Sequence, residues 1–361
     1  MKILTVVGAR PQFVKAAMVS RAVILHNREG RSPGITEEIV HTGQHYDPGM
    51  SQVFFDEMSI PEPAVNLEVG SGPHGEMTGR MLEGIEKEIL SREPDWVLVY
   101  GDTNSTLAGA LAAAKLHVPV AHVEAGMRSF NKRMPEEINR VLTDHVSTLL
   151  LCPTRAAVAN LAREGITRNV HAIGDVMYDA SLAFGEIAGK RSGALEQLGL
   201  ADKGYALVTC HRAENTDDAR RLGGILDGLS RVASRLPVVF PVHPRTRKRI
   251  AQFGYEDRAR AIRMVEPVSF VDMVRLEQKA RVIVTDSGGV QKEAYFHGVP
   301  CVTLRDETEW VETVEAGWNQ VVGADADRIA AAVARACPGR PINEYGDGHA
   351  SELVVKRIVE S

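Results

Sequence analysis

The chain has 361 residues, of which 44% are hydrophobic and 25% are charged, and its formal net charge is −5. This length predicts two domains with sizeable cores, and the negative charge balance excludes a global basic field that would hold nucleic acid. The opening "MKILTVVGAR" has no signal-peptide pattern, and no apolar run approaches the roughly 18 residues of a membrane span. We therefore expect a soluble cytoplasmic enzyme that binds neither membrane nor nucleic acid.

Apolar, strand-like runs alternate with helical patterns along most of the chain. The first half contains "KILTVVG", "EIVHTG", "DWVLVYGD", "VPVAHVEAG" and "TLLLCPT", and the second contains "YALVTCHR", "LPVVFPVHP", "IRMVEP", "ARVIVTDSGG" and "VPCVTLRD". Helical patterns over 104–117, 136–148, 154–164 and 218–235 separate most of these runs. The alternation predicts an α/β fold with two doubly wound, Rossmann-like domains. Ligands of such sheets bind beyond the carboxyl ends of the strands, so we expect a site in a cleft between the two domains.

The strand series pauses between about residues 175 and 203, and we place the domain boundary there. The prediction is an N-terminal domain over 1–175, joined by a C-terminal amphipathic helix over 350–361, and a C-terminal domain over 176–349. The cysteines lie far apart, at Cys152, Cys210, Cys301 and Cys337. Their spacing fits neither a disulfide framework nor a CxxC metal site, so we interpret them as reduced.

The first strand is followed by "GARPQFVK". Gly8 permits a tight turn, and Pro11 suits the first turn of a helix. Arg10 and Lys15 then lie near the start of that helix, where free N–H groups also favour anions. One interpretation is a grip on phosphate or diphosphate, and the other is two solvated charges on a surface helix.

Acidic residues follow two further strands and open a later helix. Asp102 follows "DWVLVYG", where an aspartate is often only a helix N-cap. Glu124 ends the buried run "VPVAHVE", and an unpaired carboxylate is costly to bury there. Glu136 opens the helix "EEINRVLTDHV", where an acid usually complements the helix dipole. Helical spacing in that segment is shared by Ile138, Val141, Leu142 and His145. Three such acids converging on one cleft would be more than dipole complements or caps.

The second half carries a histidine at one strand end. "ALVTCHRAEN" leaves His211 and Arg212 beyond a buried run, and we favour a functional role for His211 over a structural one. His243, in "PVHPRT", has a weaker claim.

The segment "VIVTDSGGVQKEA" is the strongest local signal. A strand leads through Asp286, Ser287, Gly288 and Gly289 directly into a helix, an arrangement whose N–H groups favour an anion. Glu293, one turn later, could accept both hydroxyls of a ribose. The alternative is that the motif is a coincidence, since small residues commonly start helices. Neither GxGxxG nor a P-loop is present, which argues against a dinucleotide oxidoreductase and an ATPase.

The motifs "GARPQFVK", "GDTNST", "HVEAGMRS…MPEEINR", "HRAEN" and "TDSGGVQKEA…LRDETE" occur in order over nearly the full chain. Together they resemble the non-hydrolysing UDP-N-acetylglucosamine 2-epimerase family. The resemblance implies a GT-B-like fold with UDP bound mainly by the C-terminal domain and a final helix packed on the N-terminal one. It also implies a cytoplasmic homodimer in polysaccharide biosynthesis that needs no metal or nicotinamide cofactor. The implied reaction interconverts UDP-N-acetylglucosamine and UDP-N-acetylmannosamine by eliminating UDP to 2-acetamidoglucal and adding it back.

The same resemblance implies roles for individual residues. The catalytic carboxylates are Asp102, Glu124 and Glu136, with His211 near the diphosphate, where it assists the departure of UDP. Substrate binding is implied for Arg10, Lys15, Ser287, Gly288, Gly289 and Glu293: the first two face the nucleotide sugar, the Ser-Gly-Gly segment holds phosphate and the glutamate holds the ribose.

Three segments depart from the family pattern. Trp310 stands where many members have a nucleotide-contacting arginine; it cannot make bidentate contacts, although its ring is able to stack. "TGQHYDPGM" only partly matches a segment that binds a second, activating UDP-sugar in some members: Gln44 and His45 match, whereas the next two residues differ. "RSFNKRMPEE" replaces a segment with Tyr and Trp near the sugar.

The changes at Trp310 and in "RSFNKRMPEE" resemble a subset of the family that epimerises UDP-2,3-diacetamido-2,3-dideoxyglucuronate. An extra carboxylate on the substrate would meet Arg128, Lys132 or Arg133. Two other hypotheses remain open. A GT-B glycosyltransferase would share the UDP site but would not require the three acids, and a UDP-sugar sensor would bind without C2 proton exchange.

Overall fold

The computed structural model of the chain describes residues 1–43 and 61–361. Gln44 and His45 lie outside the described residues, as does the side chain of Arg10. The described part divides into two compact units, Met1–Ala180 with Asn343–Ser361 and Ser181–Ile342. Each unit holds one parallel sheet with alternating helices, so the predicted α/β fold with two Rossmann-like sheets is confirmed.

The sheet of the first unit runs in the order β3-β2-β1-β4-β5-β6-β7. Its strands are β1 (Lys2–Val7), β2 (Thr36–His41), β3 (Val65–Asn66), β4 (Trp96–Tyr100), β5 (Val120–Val123), β6 (Leu149–Cys152) and β7 (Val170–Ala172). Its helices are α1 (Arg10–Arg28), α2 (His74–Arg92), α3 (Asn104–Lys115), α4 (Pro135–Val146), α5 (Arg155–Arg163), the start of α6 (Val176–Arg191) and, at the C-terminus of the chain, α16 (Ala350–Glu360). The order reverses between β1 and β4, which is where such sheets bind ligands.

The core of the first unit explains why these segments are strands and helices. Val6 and Val99 are fully buried on neighbouring strands, with helices covering the sheet. Helix α2 buries residues four apart, including Met81 and Ile85, against α3. Helix α3 is rich in alanine and carries Gly109, where a Cβ would come within 3.1 Å of Val99, so small side chains let it lie close to the sheet.

The C-terminal helix α16 is capped from another helix. Asp179 on α6 accepts hydrogen bonds from Ala350 N at 3.1 Å and from both the backbone N and Oγ of Ser351 at 2.7 Å. These bonds satisfy N–H groups that have no partner inside a helix. Helix α16 packs on α1, so Asp179 fastens the end of the chain onto the first unit.

We expect Asp179→Ala to lower the free energy of unfolding of the first unit by about 1–3 kcal/mol, because buried donors lose their acceptor. The measurement is thermal or urea unfolding followed by circular dichroism. The matched control is Asp327→Ala, whose side chain is 88% exposed. Equal stability of the two variants would contradict the capping role.

The sheet of the second unit runs in the order β10-β9-β8-β11-β12-β13 and reverses between β8 and β11. Its strands are β8 (Ala206–Thr209), β9 (Val238–Pro241), β10 (Arg263–Val265), β11 (Val282–Thr285), β12 (Cys301–Thr303) and β13 (Asn319–Val321). After the end of α6 its helices are α7 (Ala194–Gln197), α8 (Ala213–Thr216), α9 (Ala219–Ala233), α10 (Pro244–Gln252), α11 (Glu256–Ala259), α12 (Phe270–Lys279), α13 (Gly288–Phe296), α14 (Val311–Glu315) and α15 (Ala326–Arg335).

The segment without strands, 175–203, is occupied by α6 and α7, and the division between units falls inside α6. Strands β3, β7 and β13, of two or three residues each, were not predicted. All four cysteines are free thiols, as predicted. Among residues 1–43 and 61–361, none of the helices has the length and apolar character that a membrane crossing requires.

Candidate functional site

The turn after β4 presents Asp102. Thr103, not Asp102, is the N-cap of α3, since its Oγ1 accepts from the backbone N of Thr106 at 3.3 Å. The interpretation of Asp102 as a helix cap is therefore wrong. One oxygen of its carboxylate accepts from Arg140 Nε at 3.0 Å and Nη2 at 2.6 Å. The Asp102 side chain is 32% exposed, whereas that of Arg140 is 4% exposed. The buried guanidinium of Arg140 therefore binds a carboxylate that is partly exposed to solvent.

The turn after β5 presents Glu124 in a left-handed backbone conformation, with φ of 76°. Non-glycine residues adopt this region rarely, and they do so mainly where the surroundings enforce it. The Glu124 carboxylate is ion-paired with Lys15, and both side chains are mostly buried. The interpretation of Lys15 as a solvated surface charge is therefore wrong. Gly101 leaves room for this pair, because a Cβ there would lie 3.2 Å from Glu124 Oε2 and 3.4 Å from Lys15 Nζ.

The turn after β1 is fastened to the turn after β4. Gln12 is buried; its Oε1 accepts from Gly8 N at 2.9 Å, and its Nε2 donates to the carbonyl of Tyr100 at 2.9 Å. Gly8 is required for close approach rather than for a left-handed turn, since a Cβ would lie 2.1 Å from Ser105 Oγ. Helix α1 begins at Arg10 with Pro11 in its first turn, as predicted.

Helix α4 carries adjacent acids with opposite surroundings. Glu136 is half-buried, and within the described ranges its carboxylate makes no hydrogen bond or ion pair. Glu137 is buried and accepts from Ser129 N, Ser129 Oγ and Phe130 N, each at 2.9 Å, and from Arg140 Nη1 at 2.9 Å. Burial alone would raise the pKa of Glu137, but these hydrogen bonds and the Arg140 charge hold it below its ordinary value. Glu137 thus fixes the loop that precedes α4.

Asp102, Glu124 and Glu136 lie at one edge of the first sheet. Asp102 and Glu124 follow neighbouring parallel strands, β4 and β5. Glu136 lies one helical turn before Arg140, which binds Asp102, so both belong to the same face of α4. Asp102 and Glu124 have cationic partners, whereas Glu136 has none among the described groups.

Arg128 does not serve as a substrate contact. It is buried, and its guanidinium binds Glu164 through Nε at 2.7 Å and Nη2 at 2.8 Å, and Asp144 and the Met127 carbonyl through Nη1 at 2.7 and 2.8 Å. The prediction that Arg128 is available to an extra substrate carboxylate is therefore wrong.

Lys132 and Arg133, the other two candidates, are exposed and line a surface pocket of about 570 Å³. No described group forms an ion pair with either side chain. Asn139 also lines the pocket and donates to the carbonyl of Asp102 at 2.9 Å. The pocket therefore borders the Asp102 turn and has two basic groups in its wall.

In the second unit, the switch point between β8 and β11 is organised by Asp286. This fully buried carboxylate accepts from the backbone N of His211 at 3.1 Å and of Arg212 at 3.0 Å, and from Asn215 Nδ2 at 3.1 Å. The His211 side chain is 47% exposed, with Nδ1 3.6 Å from Asp286 Oδ1. Asp286 thus holds the turn that presents His211.

The start of α13 is an open helix N-terminus. Ser287 is its N-cap and accepts from Val290 N at 3.5 Å. A Cβ on Gly289 would make ordinary contacts, at 3.8 Å from Ser287 Oγ and 3.9 Å from Glu293 Oε1. A Cβ on Gly288 would lie 2.6 Å from a Glu309 oxygen and 3.8 Å from Arg212 Nη2. The segment therefore brings N–H groups, a carboxylate and a guanidinium together.

His243 and Trp310, two other candidate residues of this unit, have structural positions. His243 is the N-cap of α10 and accepts from Arg245 N at 3.2 Å, which is a structural role. Trp310 is 3% exposed, and the Nζ of Lys292 lies 4.3 Å from its ring centroid. The ring is enclosed within the second unit, so the suggestion that it stacks on a ligand is wrong.

Sequence reasoning missed several residues that shape these turns. Gln12, His122, Arg140 and Asp144 are buried polar side chains, and Arg212 was noted only for its place at a strand end. Arg140 and Asp144 are four residues apart on α4, a spacing that signals one polar face. Their partners lie far away in the sequence and leave no local pattern.

Comparison with known proteins identifies the family. The sequence model described as UDP-N-acetylglucosamine 2-epimerase matches residues 28–359. The chain belongs to the UDP-N-acetylglucosamine 2-epimerase family. The predicted family and enzyme class are thus confirmed.

Relatives of this epimerase span its whole length. It is 50% identical to the UDP-2,3-diacetamido-2,3-dideoxy-D-glucuronate 2-epimerase of Pseudomonas aeruginosa, with all of both chains aligned. It is 44% identical to the UDP-N-acetylglucosamine 2-epimerase of Methanocaldococcus jannaschii, over 99% of this chain and 98% of that one. The crystal structure of Methanocaldococcus jannaschii UDP-GlcNAc 2-epimerase in complex with UDP-GlcNAc and UDP matches with a TM-score of 0.92, at 43% identity over 100% of each chain.

Proposed function

We propose that this epimerase interconverts UDP-N-acetylglucosamine and UDP-N-acetylmannosamine. The observation that carries the proposal is the set of three carboxylates at one sheet edge. Asp102 is paired with Arg140 and Glu124 with Lys15, whereas Glu136 is unpaired among the described groups. The names of the relatives support a UDP-sugar substrate.

The reaction requires carboxyl groups of the protein close to the sugar ring. The C2 proton is not adjacent to a carbonyl, so a positioned carboxylate must accept it while the C1–O bond breaks. The C2–H electrons form the C1=C2 double bond of 2-acetamidoglucal, and the diphosphate of UDP leaves with the C1–O electron pair. Negative carboxylates also stabilise the positive charge that grows on the ring. In the return step a carboxylic acid protonates the opposite face of C2, and the diphosphate oxygen attacks C1.

The second unit supplies the groups that UDP requires. We assign the diphosphate to the N–H groups of Ser287, Gly288 and Gly289, where the helix dipole also favours an anion. Glu293, whose Oε1 lies near Gly289, accepts the ribose hydroxyls. His211 and Arg212 lie at the adjoining strand end, and we assign them to the departing diphosphate. These donors stabilise UDP most when it carries its full charge.

The test of the reaction is incubation with UDP-N-acetylglucosamine in D₂O without any acceptor. We expect solvent deuterium at C2 of both epimers by NMR, with slow release of free UDP and 2-acetamidoglucal. Each turnover replaces the C2 hydrogen through a carboxyl group that exchanges with solvent. Turnover that retains the original C2 proton would contradict elimination, and turnover only with an added acceptor would favour a glycosyltransferase.

A second candidate substrate is UDP-2,3-diacetamido-2,3-dideoxyglucuronate, or a similar acidic UDP-sugar. The specific observation is that Lys132 and Arg133 line the pocket beside the Asp102 turn without an ion-pair partner among the described residues. The Pseudomonas aeruginosa relative carries that uronate in its name. The homodimer, the cytoplasmic location and the role in polysaccharide biosynthesis stay predictions of the family resemblance.

A further inference from the structure

A fully buried histidine lies between the two turns that carry Asp102 and Glu124. His122 is on β5 with no exposed surface. Its Nδ1 lies 2.7 Å from Asp144 Oδ1, and its Nε2 lies 2.8 Å from the carbonyl oxygen of Gly101. The reaction proposed above gives this side chain no role.

Both partners of His122 accept hydrogen bonds. The Gly101 carbonyl has no proton to donate. Asp144 is a carboxylate, because its Oδ2 accepts from the guanidinium Nη1 of Arg128 at 2.7 Å and from Gly126 N at 3.0 Å, contacts that favour the charged form. A neutral imidazole has a single N–H and would turn a lone pair towards one of these acceptors. Two such short contacts require a donor on each ring nitrogen.

We propose that His122 is an imidazolium that donates from both ring nitrogens and thereby positions the Asp102 and Glu124 turns relative to each other. Through Nε2 it binds Gly101, the residue directly before Asp102. Through Nδ1 it binds Asp144, whose other oxygen accepts from Gly126 N at 3.0 Å. One side chain therefore connects both acid-bearing turns.

The Glu124 turn needs such support. Glu124 has φ of 76° and Gly126 has φ of 79°, and a glutamate in the left-handed region is strained and persists only where its surroundings hold it there. A Cβ on Gly126 would lie 2.4 Å from the carbonyl oxygen of Ala157, so the backbone at Gly126 packs closely against Ala157. Loss of the Asp144 contact would release the strained turn and move the Glu124 carboxylate.

Charged and titratable groups on several elements surround His122. Asp144 on α4 contacts it directly, and Arg128, in the loop after β5, binds both Asp144 and Glu164. Cys152 on β6 is neutral, because burial raises the pKa of its thiol. The Lys15–Glu124 pair is internally balanced, whereas Arg140 binds both Asp102 and Glu137. Glu164 is exposed and also lies 3.9 Å from His145 Nδ1, so the buried groups that contact the His122 ring are the Asp144 carboxylate and the Gly101 carbonyl, both of them acceptors.

The first test does not depend on the enzyme's activity. The intact protein, labelled with ¹⁵N-histidine, is examined by NMR at pH 7, and the His122 signals are assigned by their loss in His122→Gln, or in His122→Asn if that variant does not fold. We expect both ring nitrogens of His122 to carry protons. A neutral tautomer, with one unprotonated ring nitrogen, would overturn the proposal.

The second test rests on the proposed epimerase reaction. His122→Gln keeps a donor near the position of Nε2 and His122→Asn keeps one near Nδ1, so each retains half of the connection. We expect kcat to fall by about tenfold or more in both, since small misplacement of reacting groups is costly. KM should stay within about twofold, because the loss falls on the transition state. UDP affinity should not change, since the UDP-binding groups we assign belong to the second unit.

The control is His117→Asn, an exposed histidine in the turn before β5 with φ of 60°, which asparagine tolerates. It should retain the parent's kinetics. Folded His122 variants with the parent's kcat would overturn the positioning role. A parent protein that does not epimerise UDP-sugars would instead refute the proposed function. The NMR experiment would still decide whether both ring nitrogens of His122 carry protons.

Discussion

Replacing each acid by its amide, in Asp102→Asn, Glu124→Gln and Glu136→Gln, is expected to lower kcat by about 10²–10⁴-fold, the usual contribution of general acid–base groups. An amide neither accepts nor releases the C2 proton, and it does not offset positive charge on the sugar ring. UDP affinity should change far less, because the groups we assign to the nucleotide are Ser287, Gly288, Gly289 and Glu293.

The three variants differ in what they do to stability. Glu124→Gln leaves Lys15 buried without a balancing charge, whereas Asp102→Asn leaves Arg140 with Glu137 as an anionic partner. Both variants break an ion pair of a buried cation, which is destabilising. Glu136→Gln breaks no ion pair among the described groups, so it should lose activity at an unchanged melting temperature. Epimerisation, UDP binding and thermal unfolding are to be measured on each variant, with the exposed Glu256→Gln as control. Activity within a few-fold of the parent in all three would make these acids structural.

Helix α4 shows how far the sequence predicts the site. Its apolar spacing correctly predicts a helix, yet Ile138 and Leu142 are 41% and 47% exposed. The buried face instead carries polar side chains, among them Glu137, Arg140 and Asp144. Apolar residues normally mark the buried face. Here the polar face is buried because each group has a partner on another element, and periodicity contains no information about those partners.

The strand ends were predictable because topology decides them. Parallel strands place their carboxyl ends at one edge, so Asp102 and Glu124 were expected to lie together, whereas the contact of His211 with Asp286 was not predicted. The ion pairs were not predictable. Lys15 and Glu124 are 109 residues apart in the sequence, and only packing of α1 on the sheet brings them into contact. The same holds for the burial of Trp310 and of Arg128, whose residue types suggested contact with ligand.

The basic groups of the pocket beside the Asp102 turn predict which UDP-sugar the enzyme prefers. If the substrate carries a C5 carboxylate, Lys132 and Arg133 are the described basic groups placed to bind it without first breaking an ion pair. A charge-assisted hydrogen bond contributes roughly 1.5–3 kcal/mol, and about 1.4 kcal/mol corresponds to tenfold. We therefore expect Arg133→Ala to lower kcat/KM for the uronate by about tenfold or more, and the double variant with Lys132→Ala to lower it further.

Turnover of UDP-N-acetylglucosamine should change little in the same variants, because that sugar has no carboxylate for the two cations to bind. Both substrates are to be measured on the parent, on Arg133→Ala and on the double variant, at low and high salt. The control is Lys115→Ala, which removes an exposed cation at the end of α3. The uronate's advantage should shrink at high salt, since exposed cations are screened. A parent that turns over UDP-N-acetylglucosamine efficiently, without preference for the uronate, would remove the acidic substrate and leave the pocket's cations with no role in selection.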